Sequence, residues 1–182
     1  MNRIRRSSNW GVFSIAAGAL TIVLAVGSCT TTSEPGDSGN TGDAGESTPT
    51  GAALFTMIDQ TDPFQQWGEF PDWQGARTSA LPHGPMSRIF INATVEAALA
   101  NFEGQLPDGS IIVKENVGTS PEVTEAVLTV MWKVAGFDPE NNYWFWAKMM
   151  SDGQIVAEGK VQGCTACHGG ARSNDFIFVQ QF

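Results

Sequence analysis

Residues 123–134 (VTEAVLTVMWKV) alternate with a period of two. Ala126, Leu128, Val130, Trp132 and Val134 are all apolar, while Glu125, Thr129 and Lys133 interrupt the other face. That pattern predicts a half-buried antiparallel strand. Residues 143–150 (YWFWAKMM) are apolar on both faces, which predicts a central strand. Ser87–Asn92 (SRIFIN) and Ser110–Val117 (SIIVKENV) also read as strands. A helix is predicted over Thr94–Phe102, because Val95, Ala98, Leu99 and Phe102 recur at i, i+3, i+4 and i+7. Leu54–Gln60 fits a short helix that stops before Asp62-Pro63. Phe64–Trp73 is aromatic and turn-rich, and Arg77–Pro85 reads as loop. Pro107-Asp108-Gly109, Phe137–Asn142 and Ser151-Asp152-Gly153 mark turns. Gln154–Val161 leads into a pair of cysteines, and Asp175–Phe182 closes the chain with an apolar run. The expected class is α+β: one domain, predominantly antiparallel β-sheet with a few helices.

The N-terminal segment, Met1 to Ser28, follows a different pattern. Arg3, Arg5 and Arg6 precede an apolar stretch from Trp10 to Val26, which ends in Val26-Gly27-Ser28-Cys29. This reads as a secretory signal over 1–28. The small residues before Cys29 resemble the bacterial lipobox, with Val26 where Leu is preferred, so Cys29 is the expected lipidation site. A lipid there adds about 0.8 kcal/mol of membrane affinity per buried methylene. Thr30, in place of Asp, lacks the inner-membrane retention signal known from enteric bacteria. An uncleaved membrane anchor is the competing reading. A twin-arginine signal from Arg5-Arg6 fits the following residues poorly. Residues 29–51 are mostly Thr, Ser, Gly, Asp and Glu, with two prolines and no large apolar side chain, the composition of a disordered acidic tether. The folded domain is then 52–182. The expected location is periplasmic or cell-envelope, anchored by lipid, with the outer membrane as one candidate.

Charge narrows the partners. The chain has 182 residues, is 42% apolar and 16% charged, and carries a formal net charge of −9. Without the segment from Met1 to Ser28, seven basic side chains stand against nineteen acidic ones. Phosphate binding needs clustered Lys and Arg, so nucleic acid is not an expected partner. A redox partner, if there is one, should present a basic face.

The chemistry is concentrated in Cys164-Thr165-Ala166-Cys167-His168. Two thiols at this spacing can add to the two vinyl groups of a haem, and the adjacent His lies under the iron as proximal ligand. The exported context agrees, because bacterial haem c is attached outside the cytoplasm. Cys29 takes lipid, and Cys164 and Cys167 take one haem per chain, so none of the three cysteines is left over. A zinc site would need four ligands, but His83 and His168 are the only histidines. A thioredoxin-like redox pair would need a βαβ setting that is lacking here.

The position of the motif is informative. Only the short stretch from Gly169 to Phe182 follows it, and that stretch contains neither Met nor His. A sixth iron ligand would have to come from upstream: Met57, His83, Met86, Met131, Met149, Met150 or Lys114. Helical c-prime cytochromes also carry the motif last, but period-two patterning does not suit a four-helix bundle.

Pro107-Asp108-Gly109-Ser110-Ile111-Ile112-Val113-Lys114-Glu115, the Trp- and Phe-rich strand, and Cys164–His168 followed by Asp175-Phe176-Ile177-Phe178 together resemble the cytochrome P-460 family. Arg88–Asn92 and the helix after it fit the same pattern, and the resemblance covers residues 80–182. It implies an antiparallel β fold shared with β-type cytochromes c-prime, often as a homodimer. It also implies a haem c with His168 proximal and an open distal face. Best-known members oxidise hydroxylamine and join a Lys to the porphyrin edge, and that Lys matches Lys114. Strand alternation puts Lys114 on one face with Ile112 and Asn116. Trp132, Tyr143, Trp144, Phe145 and Trp146 are core candidates, some of them for a haem pocket, with Phe90 and Phe102 weaker pocket candidates.

Three functions compete. One is an oxidoreductase acting on hydroxylamine or nitric oxide. The second is a non-catalytic gas-binding haem protein, and the third is a simple electron carrier. Hydroxylamine oxidation needs a proton acceptor near the iron. Glu103, Glu115, Glu140 and Glu158 are of the right type, but spacing assigns none of them, so the catalytic residues stay unknown.

Overall fold

A computed structural model describes residues 48–79, 82–117 and 127–180. The signal segment, Cys29 and nearly all of the tether lie outside the described residues. Among the described residues, seven strands form one antiparallel sheet: β1 (Gly68–Glu69), β2 (Arg77–Thr78), β3 (Met86–Ile91), β4 (Ile111–Val117), β5 (Val127–Lys133), β6 (Trp144–Met150) and β7 (Ile155–Gly159). Their order is β1-β3-β4-β5-β6-β7, and β2 pairs with the other end of β3. Three short helices accompany them: α1 (Gly51–Thr56), α2 (Ala93–Ala98) and α3 (Gln162–His168). The expected α+β class, mostly sheet, is what forms.

The helices start where local chemistry allows. The Thr50 hydroxyl accepts from the Ala53 amide at the start of α1, and the Asn92 side chain accepts from Val95 at the start of α2. α1 runs on as a π-helical turn over Met57–Thr61, and α2 as a 3-10 turn over Leu99–Asn101. The Glu158 carboxylate accepts from the Gly51 amide, which ties α1 to β7.

Alternation along the strands sorts side chains into two layers. Phe90, Val113, Leu128, Val130, Phe145 and Met149 point to one face, where Leu54, Ile58 and Phe64 cover them. Ile89, Ile91, Ile112, Met131, Trp144 and Trp146 point to the other, packed with Phe70, Val95, Leu106, Phe176 and Ile177. Both faces of β6 are covered, Phe145 and Met149 in one layer and Trp144 and Trp146 in the other, which accounts for its being apolar on both faces.

The polar alternates of β5 do not face water as the half-buried reading expects. Lys133 is 2% exposed, and Thr129 lines an internal cavity. Sequence period cannot distinguish a face covered by solvent from one covered by a distant polar partner. The partner of Lys133 is Asp175, which follows β6, β7 and α3 in the chain.

Candidate functional site

Cross-strand register builds one wall of the site. Ile89, Lys114 and Thr129 stand side by side on β3, β4 and β5. The next such row is Ile91, Ile112, Met131 and Trp146. Opposite them lie α3, the segment from Phe176 to Val179, and the Phe70–Trp73 turn, and they enclose a cavity of about 610 Å³. That volume is within the range of ligand and cofactor pockets. Its walls are largely apolar, and among the described residues none of the lining is Asp or Glu.

Cys164, Cys167 and His168 are all on α3 and all line the cavity. Their i, i+3, i+4 spacing puts them on one helix face. Cys164 is half-buried and Cys167 exposed. Burial pushes the Cys164 thiol above its ordinary range, helped by the neighbouring Cys167. Burial also lowers the pKa of His168, against an opposing hydrogen bond from its Nδ1 to the Phe176 carbonyl at 2.8 Å. A neutral imidazole with Nδ1–H so engaged has Nε2 left as its metal-binding nitrogen.

The Phe176 carbonyl is held in place by unusual backbone. Asp175 and Phe176 both take left-handed angles, φ 51° and 67°, a conformation that costs roughly 1–3 kcal/mol per residue outside glycine. A buried network holds it there. The Asp175 carboxylate accepts from Lys133 Nζ at 2.6 Å, Leu106 N at 2.7 Å, Asn142 Nδ2 at 2.9 Å and Trp144 Nε1 at 3.2 Å.

Lys114 lines the cavity, and burial lowers its pKa to about 8. His83 also lines it; burial, then the Lys114 charge, lowers its pKa to about 4, so it is neutral at pH 7. The His83 ring faces that of His168 at 6.1 Å between centroids. Trp146 and Phe178 flank His168 at 4.9 and 5.5 Å. Among the described residues, three that line the cavity carry buried polar atoms without a hydrogen-bond partner: Trp73 Nε1, Trp146 Nε1 and Ser79 Oγ.

This donor set fits a haem: an apolar slot, paired thiols and an imidazole on one helix face, and spare N–H and O–H donors for carboxylates. The model of the family described as Cytochrome P460 matches residues 64–179. The chain belongs to the cytochrome P460 family. It is therefore a haem c cytochrome of that family, and its cofactor is an iron-containing c-type haem. No match to a curated protein accompanies the family match.

Within this P460 domain the remaining candidates divide by strand parity. Of the candidate sixth ligands, His83, Lys114 and Met131 line the cavity. Met57 and Met149 belong to the opposite layer, and Met86 and Met150 are not in the lining. None of Glu103, Glu115, Glu140 and Glu158 lines it either. Trp146 is the one member of the aromatic group that does, whereas Trp132, Phe145 and Phe90 pack in the opposite layer. Phe102 packs near the cavity without lining it. Sequence reading missed Phe70, Trp73, Ile177 and Val179. They lie in turns with no period to mark them.

Proposed function

We propose that this chain is an exported, mono-haem P460-type cytochrome that carries out redox chemistry on a small nitrogen compound, hydroxylamine or nitric oxide. The observation that carries this reading is the meeting of Cys164, Cys167 and His168 with Lys114 and His83 around one apolar cavity. Cys164 and Cys167 would hold the haem by thioether bonds, and His168 Nε2 would bind its iron. When bound, the haem supplies an iron centre that changes oxidation state and binds small ligands.

The protein's own groups set the conditions. Phe176 O fixes the orientation of His168 and makes Nε2 a better donor. The apolar walls keep bulk water from the reacting ligand. Lys114, with its pKa near 8, has a substantial neutral fraction just above neutral pH. That amine is the family-matched group to meet the porphyrin edge. Oxidising hydroxylamine removes N–H protons. With no carboxylate in the described lining, neutral Lys114 Nζ and His83 are the groups able to accept them.

A lipid on Cys29 and the 29–51 tether would hold the domain near a membrane surface outside the cytoplasm.

The test is a holoprotein matured with a haem-attachment system. A pyridine haemochrome and a mass increase of one haem are expected. Added hydroxylamine should reduce an external electron acceptor. A correctly loaded protein that binds nitric oxide but never passes electrons from hydroxylamine would favour the gas-binding alternative.

A further inference from the structure

Both histidines of the chain line the same cavity. Their ring centroids are 6.1 Å apart, and their planes cross at 85°. Each ring has its Nδ1 engaged by the protein: His168 with the Phe176 carbonyl at 2.8 Å, and His83 with the Thr129 hydroxyl at 3.4 Å. On each ring Nε2 is left as the nitrogen open to a metal.

We propose that His83 is the sixth ligand of the haem iron, opposite His168, and that a small ligand reaches the iron only by displacing it. This rests on the haem reading above and deepens it: the resting centre is bis-histidine, and access to the iron is controlled by the loop that carries His83.

Distance separates this role from the obvious alternative. A metal–imidazole bond is about 2.0–2.1 Å long and the ring centre lies about 1 Å farther on, so two imidazoles on one ion stand roughly 6 Å apart. A histidine that only hydrogen-bonds to an iron-bound ligand is farther away by the ligand atom and a bond of about 2.9 Å. Its ring centre would then lie roughly 8 Å or more from the proximal one. The observed spacing matches ligation.

The loop is built to hold that position. His83 lies in Pro82-His83-Gly84-Pro85, where the two prolines fix φ. Gly84 takes φ 80°, with open space where a side chain would start, so it is the backbone that calls for glycine there. The Ser79 amide donates to the Pro85 carbonyl at 2.9 Å and closes the base of the loop. Thr129, which meets His83 Nδ1, is itself fixed by Asn116 Nδ2 at 3.1 Å. Asn116 Nδ2 also donates to the Val127 carbonyl at 2.9 Å, so the chain of contacts ends in the sheet. Metal-binding histidines are commonly oriented through the other ring nitrogen in this way.

The experiment compares ferric holoproteins by electron paramagnetic resonance and absorption after a pyridine haemochrome has shown that each carries haem. The wild type is expected to be low-spin with two imidazole ligands. His83→Ala should be high-spin, and added imidazole should restore the low-spin spectrum. Ferrous His83→Ala should bind carbon monoxide about tenfold or more tightly than wild type, because the competent state is no longer a small fraction. His83→Met offers a thioether in place of imidazole and guards against collapse of the alanine variant. It should stay six-coordinate with a raised midpoint potential. A high-spin wild type, or a low-spin spectrum that His83→Ala leaves unchanged, overturns the assignment while leaving the haem reading intact. Absence of a haemochrome in the wild type overturns both.

Discussion

Lys133 and Asp175 meet at 2.6 Å in the interior, with 2% and 0% of their side chains exposed. A buried pair tolerates removal of one partner poorly, because the remaining charge stays desolvated and unpaired. Lys133→Met should therefore lower unfolding free energy by about 3–5 kcal/mol. Urea denaturation would check this. A loss below about 1 kcal/mol would show that water reaches Asp175.

The same pair acts on His168, the proposed iron ligand, through the backbone. Asp175 holds the left-handed turn from which the Phe176 carbonyl meets His168 Nδ1. Asp175→Asn keeps the shape but weakens that hold, so His168 becomes a poorer donor. The midpoint potential of the loaded protein should rise. A destabilised variant with an unchanged potential would confine Asp175 to the fold.

Lys114 gives a pH signature with a definite sign. Its pKa falls from 10.5 to about 8 because burial penalises the charged form. Between about pH 8 and 10.5 the unfolded chain binds more protons than the folded one, so stability contributed here rises with pH. Below about pH 8 the penalty is present in full. Lys114→Met should be more stable than wild type at pH 7, on the order of 1–2 kcal/mol after allowing for partial exposure, with the gap closing towards pH 10. Denaturant titrations at several pH values measure it. If the wild-type slope equals that of the variant, Lys114 does not titrate as a free amine, as expected of an amine already joined to the haem.

Gly153 offers a stability test remote from the cavity. It has φ 89°, and a β-carbon there would lie 2.6 Å from the Phe55 ring. Gly153→Ala should thus be destabilising through both strain and overlap, by about 1–3 kcal/mol, with an unchanged haem spectrum. A shifted spectrum would mean that the β6–β7 turn reaches the site.

Much of the sheet was legible because strand patterns are local. Residues 143–150 declare a buried central strand by composition alone, and the Cys164–His168 spacing declares its own chemistry. What stayed hidden is set by topology. Nothing near Lys133 indicates that its partner is Asp175, and nothing near His83 indicates that a loop between β2 and β3 meets a helix that follows the last strand. The odd positions of β5 look solvated for the same reason: a polar residue facing a cavity and one facing water are written alike. Trp73 and Val179 come from turns, where no period exists to be read.

The parity of the strands has a consequence for how this protein can change. Along β4, Ile111 and Val113 belong to the core layer, while Ile112 and Lys114 face the cavity. Neighbouring letters of the sequence therefore answer to different demands. Substitutions at one parity can retune the pocket while the other keeps the domain folded, so new chemistry can evolve here one residue at a time. A single insertion inside β4 would exchange the two sets at once, and length within the strand should be far less variable than the identity of its cavity-facing residues.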